Sequence, residues 1–314
     1  MGCLLAAYLE AVTEVVMVGR WPAQLAALQA QGLTLRHPDG RITHHAVRAA
    51  IDPTAAQGAA AALVLVKSGR TAQAARDAAR CLAPDGLALT LQNGLGNLEQ
   101  LTAVLGPRRA ALGSTSQGAM LVAPGDARHA GHGPTYLART PETAERLANL
   151  AALFQQAGLE THLVDDAAGL VWGKLAVNAA INPLTALLRV PNGFLAGHDG
   201  ARALMGQAAA EVAAVAQAQG IALPYPDAAA RALAVAQATA ANHSSMLQDV
   251  LRGAPTEIEA ICGAVVDYGA RLGVPTPLNR ALLALVRRAE QGDWRLEPGD
   301  VAGLEAALAA AGAA

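Results

Sequence analysis

The sequence predicts an α/β domain built on a parallel sheet, followed by an all-helical domain, and three observations carry that reading. Through the first half, short β-branched or aliphatic runs alternate with helical stretches of roughly 10 to 15 residues, the pattern of strands joined by crossover helices. After Asp165-Asp166 the apolar spacing becomes helical almost to the end. Of 314 residues, 53% are apolar, 15% charged and only 3% aromatic, so a large aliphatic core is expected. The expected organisation is a sheet domain over residues 1–165, a helical domain over 166–296, and an Ala/Gly-rich tail over 297–314 that is weakly docked or frayed.

In order, residues 2–11 have helical spacing, and 13–18 (T-E-V-V-M-V) form a β-branched run ending at Gly19-Arg20. A helix over 22–31 leads into alternating segments at 33–36 and 42–47. Residues 61–66 (A-A-L-V-L-V) read as a strand buried on both faces and stopped by Lys67 and Ser68. A helix over 71–82, a strand over 87–91 and the loop Q-N-G-L-G-N over 92–97 follow. Runs at 111–117, 119–122 and 134–138, separated by Gly and Pro, suggest antiparallel hairpins added to the sheet, before a helix over 141–156 and a strand over 159–164. Helical segments are then expected at 167–189, 201–219, 226–251, 256–272 and 276–291.

The formal net charge is −2 and no Lys/Arg cluster is interleaved with aromatics, so no nucleic-acid surface is indicated and a small-molecule substrate is the default. Cys3, Cys81 and Cys262 are scattered and odd in number, which fits a reducing, cytoplasmic setting without disulfides. The pairs His44/His45 and His129/His132 lie in short alternating segments near Gly, read as exposed positions, and no metal is expected. Charges or Gln interrupt every long apolar stretch, so no membrane span is expected. The start lacks a basic n-region and meets Glu10 early, unlike a signal peptide, and Ala6 stands where myristoylation wants Ser or Thr.

An open nucleotide-binding sheet starts with a strand and a G-x-G-x-x-G turn, and a helix N-terminus then faces the pyrophosphate. This chain starts inside that helix, with Met1-Gly2 as the last residues of the turn. The expectation is therefore a Rossmann-like domain lacking its first strand. The sequence reads as N-terminally truncated, and V-x-G-x-G-x-x is expected upstream in frame. Arg20 follows the second strand where Asp or Glu would bond an NAD ribose; Arg suits a 2′-phosphate, which favours NADP. Lys67 and Asn93 end the next two strands, where carboxyl ends border the ligand crevice. Each also has an ordinary reading: Arg20 as a solvated loop charge, Lys67 as a strand terminator, Asn93-Gly94 as a turn.

The stretch W-G-K-L-A-V-N-A-A-I-N-P-L from Trp172 sets Lys174, Asn178 and Asn182 four residues apart, one polar line along an apolar helix. Such a line either faces something polar or is a snorkelling lysine with two surface amides. In N-H-S-S-M-L-Q-D, from Asn242, the serines read as mid-helix residues that back-bond or mark a bend. In T-E-I-E, Thr256 and Glu259 form a capping box. Glu257 is left between two readings, a first-turn carboxylate favoured by the helix dipole or a site residue delivered by the preceding loop.

With these segments in hand, the chain resembles the 2-dehydropantoate 2-reductase (ketopantoate reductase) family from Gly2 to about Trp294. V-K-S at Lys67, L-Q-N-G-L-G-N at Asn93, the Trp172 stretch through L-T-A-L, P-N-G at Pro191, N-H-S-S-M-L-Q-D and T-E-I-E carry the resemblance. It implies NADPH-dependent reduction of 2-dehydropantoate to (R)-pantoate, a cytosolic step towards pantothenate and coenzyme A, by a monomer or homodimer. It also implies Lys174 and Glu257 as catalytic residues, Asn178, Asn182 and Ser245 as substrate ligands, and Arg20, Lys67 and Asn93 as cofactor contacts, beside Gly2 from the glycine turn. The departure is the missing first strand with two of its glycines, which leaves open a non-catalytic relic or binding module. A reductase of another 2-keto acid is the third reading.

Overall fold

The alternating first half becomes three β-sheets rather than one. In the computed structural model, which describes residues 1–312, the chain divides into two units: Met1–Gln92 with Asn97–Ala167, and Asn93–Gly96 with Ala168–Ala314. The first unit runs α1 (Gly2–Leu9), β1 (Val16–Val18), α2 (Pro22–Gln31), β2 (Leu33–Arg36), β3 (Ile42–His45), β4 (Arg48–Ala50) and β5 (Ala59–Val64). It continues through α3 (Thr71–Cys81), β6 (Leu82–Thr90), α4 (Asn97–Leu105), β7 (Ala110–Thr115), β8 (Gly118–Ala123) and β9 (Asp126–Gly131). It closes with β10 (Thr135–Ala138), α5 (Ala144–Gln156) and β11 (Thr161–Val164).

Strands β11-β10-β7-β6-β5 form the main sheet, which is parallel except where β10 opposes β7. The β8–β9 hairpin, expected to extend that sheet, instead joins β2 and β3 in a four-stranded sheet. The reason is apolar: Leu33 and Leu35 of β2 share a core with Ala127 of β9, and the parallel register aligns Leu35 with Ala127. β1 and β4 pair alone. The segment expected as a strand buried on both faces is also corrected. It is β5, whose residues are mostly half-exposed with only Val64 buried, because β5 pairs with β6 alone and forms a sheet edge. Helix α1 is apolar all round because opposite sides pack into different cores: Leu5 and Leu9 with Leu87, Leu89 and Ala111, and Leu4 and Ala7 with Leu28, Leu33 and Leu35. A further correction is His129, expected exposed yet 1% accessible. Its Nδ1 lies 3.0 Å from the Tyr8 hydroxyl and its Nε2 2.7 Å from Gln117 Oε1.

The second unit is helical: α6 (Ala168–Leu188), α7 (Asn192–Gly197), α8 (Asp199–Ala218), α9 (Ala228–Ala238), α10 (Ser245–Leu251), α11 (Ala264–Leu272), α12 (Pro277–Gln291) and α13 (Val301–Gly312). One core cluster runs from Trp172 to Leu308, centred on α6. Buried alanines on α6 (Ala176, Ala179, Ala180) and α8 (Ala201, Ala208, Ala209) let these two helices pack closely. Buried Glu211 on α8 accepts from the Leu278 and Asn279 amides, each at 2.9 Å, satisfying orphan donors in the first turn of α12.

Three sequence expectations in this half are corrected. The single helix expected over 226–251 is broken at 239–244; Ser244 is not mid-helix but caps α10. The capping box is not formed. Thr256 Oγ1 accepts from Ile258 N at 3.1 Å, but Glu259 reaches Arg287 Nε and Nη2 at 2.5 and 2.7 Å and begins a π-helical turn, Glu259–Gly263. The tail expected to fray contains α13, whose Val301, Leu304 and Leu308 recur at helical spacing and are buried in the core; Ala313 and Ala314 lie outside the described residues.

Candidate active site

Lys174 lies on the N-terminal half of α6, partly buried between the buried Trp172 and Leu175. Burial pulls its pKa down from 10.5 to about 8, and the negative charge of Glu257 works in the opposite direction. Glu257, 7% exposed, sits in the turn just before the π-helical segment. Sequence leaves Glu257 between a helix-terminus role and a site role; the structure buries it and sets its charge against Lys174. An ammonium with a pKa near 8 is protonated at neutral pH and gives up its proton more readily than an ordinary lysine.

Asn93 belongs to the same unit. Its Nδ2 donates to Glu257 Oε2 at 3.2 Å, and two residues later Leu95 N donates to the Ala260 carbonyl at 2.9 Å. Glycine is required between them. Gly94 has φ +81°, and a Cβ there would lie 2.4 Å from the Ala260 oxygen. The π-turn and Gly94 thus fix the place of Asn93 beside Glu257, in keeping with the frequent siting of π-turns at functional positions.

Asn178 and Asn182 follow Lys174 at helical spacing on α6. Asn182 is 7% exposed, and neither side-chain amide has a hydrogen-bond partner among the described residues. A nearly buried amide without a protein partner costs stability unless a ligand or water meets it. Ser245 is the exposed first residue of α10. The preceding Ser244 is buried, and its Oγ accepts from Leu247 N at 3.1 Å. The second unit therefore brings Lys174, Glu257 and Asn93 together and sets Asn178 and Asn182 along the same helix.

The remaining expected contacts lie in the first unit. Arg20, just past β1, is about half exposed (45%). It donates from Nη1 and Nη2 to the two carboxylate oxygens of Asp77 at 2.6 and 2.9 Å, and Gln73 Nε2 adds a third donor at 3.0 Å. Arg20 holds the Asp77 carboxyl below the ordinary carboxylate range, with Gln73 assisting. A guanidinium has five N–H groups, so three remain for an anion. Asp77 escaped the sequence reading, since nothing in the sequence separates it from a solvated helix carboxylate. Lys67 is half-buried before the turn Ser68–Arg70, and Gln92 Nε2 ties that turn down by donating to Val66 O at 2.6 Å and Thr71 Oγ1 at 2.8 Å. Gly2 opens α1; a Cβ there would come no closer than 3.9 Å to Met17, so packing alone does not demand glycine. Among the described residues no group of three or more His, Cys, Asp and Glu side chains could hold a metal ion, and no helix is long and apolar enough to cross a membrane.

Residues 1–142 match the family model described as ketopantoate reductase PanE/ApbA, and residues 166–290 match its C-terminal counterpart. A 2-dehydropantoate 2-reductase of Halobacterium salinarum is 38% identical over 283 residues, covering 89% of this chain and 92% of its own length. One from Archaeoglobus fulgidus is 38% identical over 208 residues, covering 66% and 69%. Among solved structures, a PanE/ApbA family ketopantoate reductase from Ralstonia eutropha superposes with a TM-score of 0.83 at 36% identity, covering 93% of this chain and 94% of its own. D-mandelate dehydrogenase, described with NADH and anilino(oxo)acetate, reaches a TM-score of 0.85 at 22% identity over 92% and 95%, a likeness of fold alone.

Proposed function

The chain belongs to the ketopantoate reductase family, and from that premise we propose that it reduces the ketone of 2-dehydropantoate to (R)-pantoate with NADPH, a cytosolic step towards pantothenate and coenzyme A. The observation that carries the reading is the group on the second unit: a lysine with its pKa lowered to about 8, the buried Glu257 acting on it, and two helix amides with no partner among the described residues.

The dinucleotide, when bound, supplies the hydride to the ketone carbon. Arg20, Lys67, Asn93 and Gly2 are the residues proposed to hold it; the N–H groups that Asp77 leaves on Arg20 suit a 2′-phosphate, the basis for preferring NADPH. As charge grows on the substrate oxygen, the Lys174 ammonium donates a hydrogen bond and then its proton, leaving a neutral amine. Asn178 and Asn182 bind substrate through neutral hydrogen bonds and do not compete for that proton. Ser245 meets the substrate carboxylate with one of the amides, and Glu257 accepts from the primary hydroxyl.

The test is NADPH oxidation by the purified chain with 2-dehydropantoate, beside other 2-keto acids and beside NADH. Turnover with 2-dehydropantoate, lost in Lys174→Ala, is the expected result. Faster turnover of another keto acid would replace the substrate. Soluble protein with no response to any of them would replace the reaction itself with a non-catalytic binding role.

A further inference from the structure

The polar line on α6 does not end at Asn182. At about 100° per residue, position 185 returns to within about 20° of the azimuth of Lys174, so Thr185 continues the same face. Thr185 is fully buried, and its Oγ1 lies 2.7 Å from Ser244 Oγ as well as 2.9 and 3.1 Å from the Ile181 and Asn182 carbonyls of its own helix. Ser244 is the N-cap of α10, and its Oγ also accepts from Leu247 N at 3.1 Å. The next residue is Ser245. Helix α10 is seven residues long, too short to hold its first turn by its own hydrogen bonds. The start of α10 is therefore fixed by what its cap is tied to, and the cap is tied to the helix that carries Lys174.

We propose that Thr185 is a positioning residue for substrate recognition: through Ser244 it fixes the first turn of α10 and so holds the Ser245 hydroxyl at a set place relative to Asn178 and Asn182. The proposal rests on the reading that Ser245 meets the substrate. Thr185 itself touches neither substrate nor cofactor; it links two elements that each carry a substrate ligand. The contact with Ser244 gives the hydroxyl a role beyond back-bonding to Ile181 and Asn182, at a site where valine would fill the same volume. A buried serine cap left without its partner keeps its polar oxygen but loses its orientation.

The experiment compares Thr185→Val, Thr185→Ser and Ser245→Ala, singly and with Thr185→Val and Ser245→Ala combined, in the intact chain. Steady-state kinetics are read alongside amide hydrogen exchange at Leu247 and Gln248. Thr185→Val is expected to raise KM for 2-dehydropantoate about tenfold, to leave KM for NADPH within about twofold, and to speed exchange at Leu247. Thr185→Ser should restore both. In the Ser245→Ala background the valine substitution should cost little more, because the residue it positions is already gone. Wild-type KM and exchange in Thr185→Val, while Ser245→Ala raises KM, would overturn the role of Thr185 and leave the reading of the site standing. So would a valine cost that adds in full to that of Ser245→Ala, the mark of a merely structural effect. A silent Ser245→Ala would remove Ser245 from the substrate site, and the proposal with it.

Discussion

The two units treat the polar residues expected at the site differently. In the second, one core cluster extends from Trp172 to Leu308, and the amides of Asn178 and Asn182 stand along its central helix with no protein partner among the described residues. In the first, two smaller clusters draw on the main sheet and a third on the four-stranded sheet, and the expected site charge Arg20 is answered by Asp77, as Arg36 is by Asp126. A polar group that a continuous core leaves unanswered is more informative about ligands than one neutralised by a neighbour on the same unit.

The sharpest way to break this contrast is at Lys174. Lys174→Ala should lower kcat by about 10²- to 10⁴-fold, the usual worth of a positioned acid, with dinucleotide affinity unchanged. In the unmodified protein the donor form is present below a pKa of about 8, so kcat/KM for ketone reduction should fall as pH rises through that value. The same depression predicts a stability effect of opposite sense. Because the folded pKa lies below the unfolded value of 10.5, the burial penalty on the ammonium is fully present below about pH 8 and shrinks as pH rises above it. Lys174→Met should therefore be inactive yet melt higher than wild type at pH 7. A lower melting temperature would mean that the ammonium is better compensated in the fold than its lowered pKa implies.

The next effect tests the core itself. Leu304 on α13 is fully buried, and Leu304→Ala should cost about 2–5 kcal/mol in urea unfolding. A cost below about 0.5 kcal/mol would show a tail that contributes nothing, as its composition first suggested. Composition misled because alanine and glycine are common in frayed ends. The informative signal was Val301, Leu304 and Leu308, three apolar residues at helical spacing.

The same distinction explains the rest of what the sequence disclosed. Lys174, Asn178 and Asn182 were legible because a helix converts sequence spacing directly into a shared face. The fold class was legible for a similar reason, from the periodicity of apolar runs. The assembly of strands was not: Leu35 pairs with Ala127, about 90 residues away, and no local pattern fixes such a register. Asp77 was missed because an acidic residue on a helix looks like any solvated one until Arg20 is seen against it. Ser244 was misplaced because a buried cap and a mid-helix serine read alike without the helix break at 239–244. Glu257 stands between two readings in the sequence because its neighbours Asn93 and Lys174 are distant from it along the chain.

A smaller effect sharpens the cofactor side. If the half-exposed Arg20 guanidinium meets a 2′-phosphate, Arg20→Ala should raise KM for NADPH about tenfold and leave KM for NADH within about twofold. Equal losses with both cofactors would assign Arg20 to the fold through Asp77 and leave the cofactor preference to other residues.

The smallest expected effect belongs to the first unit's buried imidazole. His129 has its pKa lowered below the ordinary 6.5, first by burial and then by neighbouring His132, with His37 adding to the same sense. The neutral ring suits its surroundings: Nε2 donates to Gln117 Oε1 at 2.7 Å, leaving Nδ1 to accept from the Tyr8 hydroxyl at 3.0 Å. Since the unfolded chain takes up the proton at higher pH than the folded one, stability is full above about pH 6.5 and declines as pH falls below it. Melting temperatures measured from pH 8 to pH 5 should therefore decrease, and His129→Gln should start lower at pH 8 but show a shallower decline. An unchanged slope would shift the acid sensitivity to other groups, such as His37, whose pKa is lowered as well. A decline carried by His129 would place the acid-labile point of the chain in the unit that carries the sheets, and outside the one that carries Lys174.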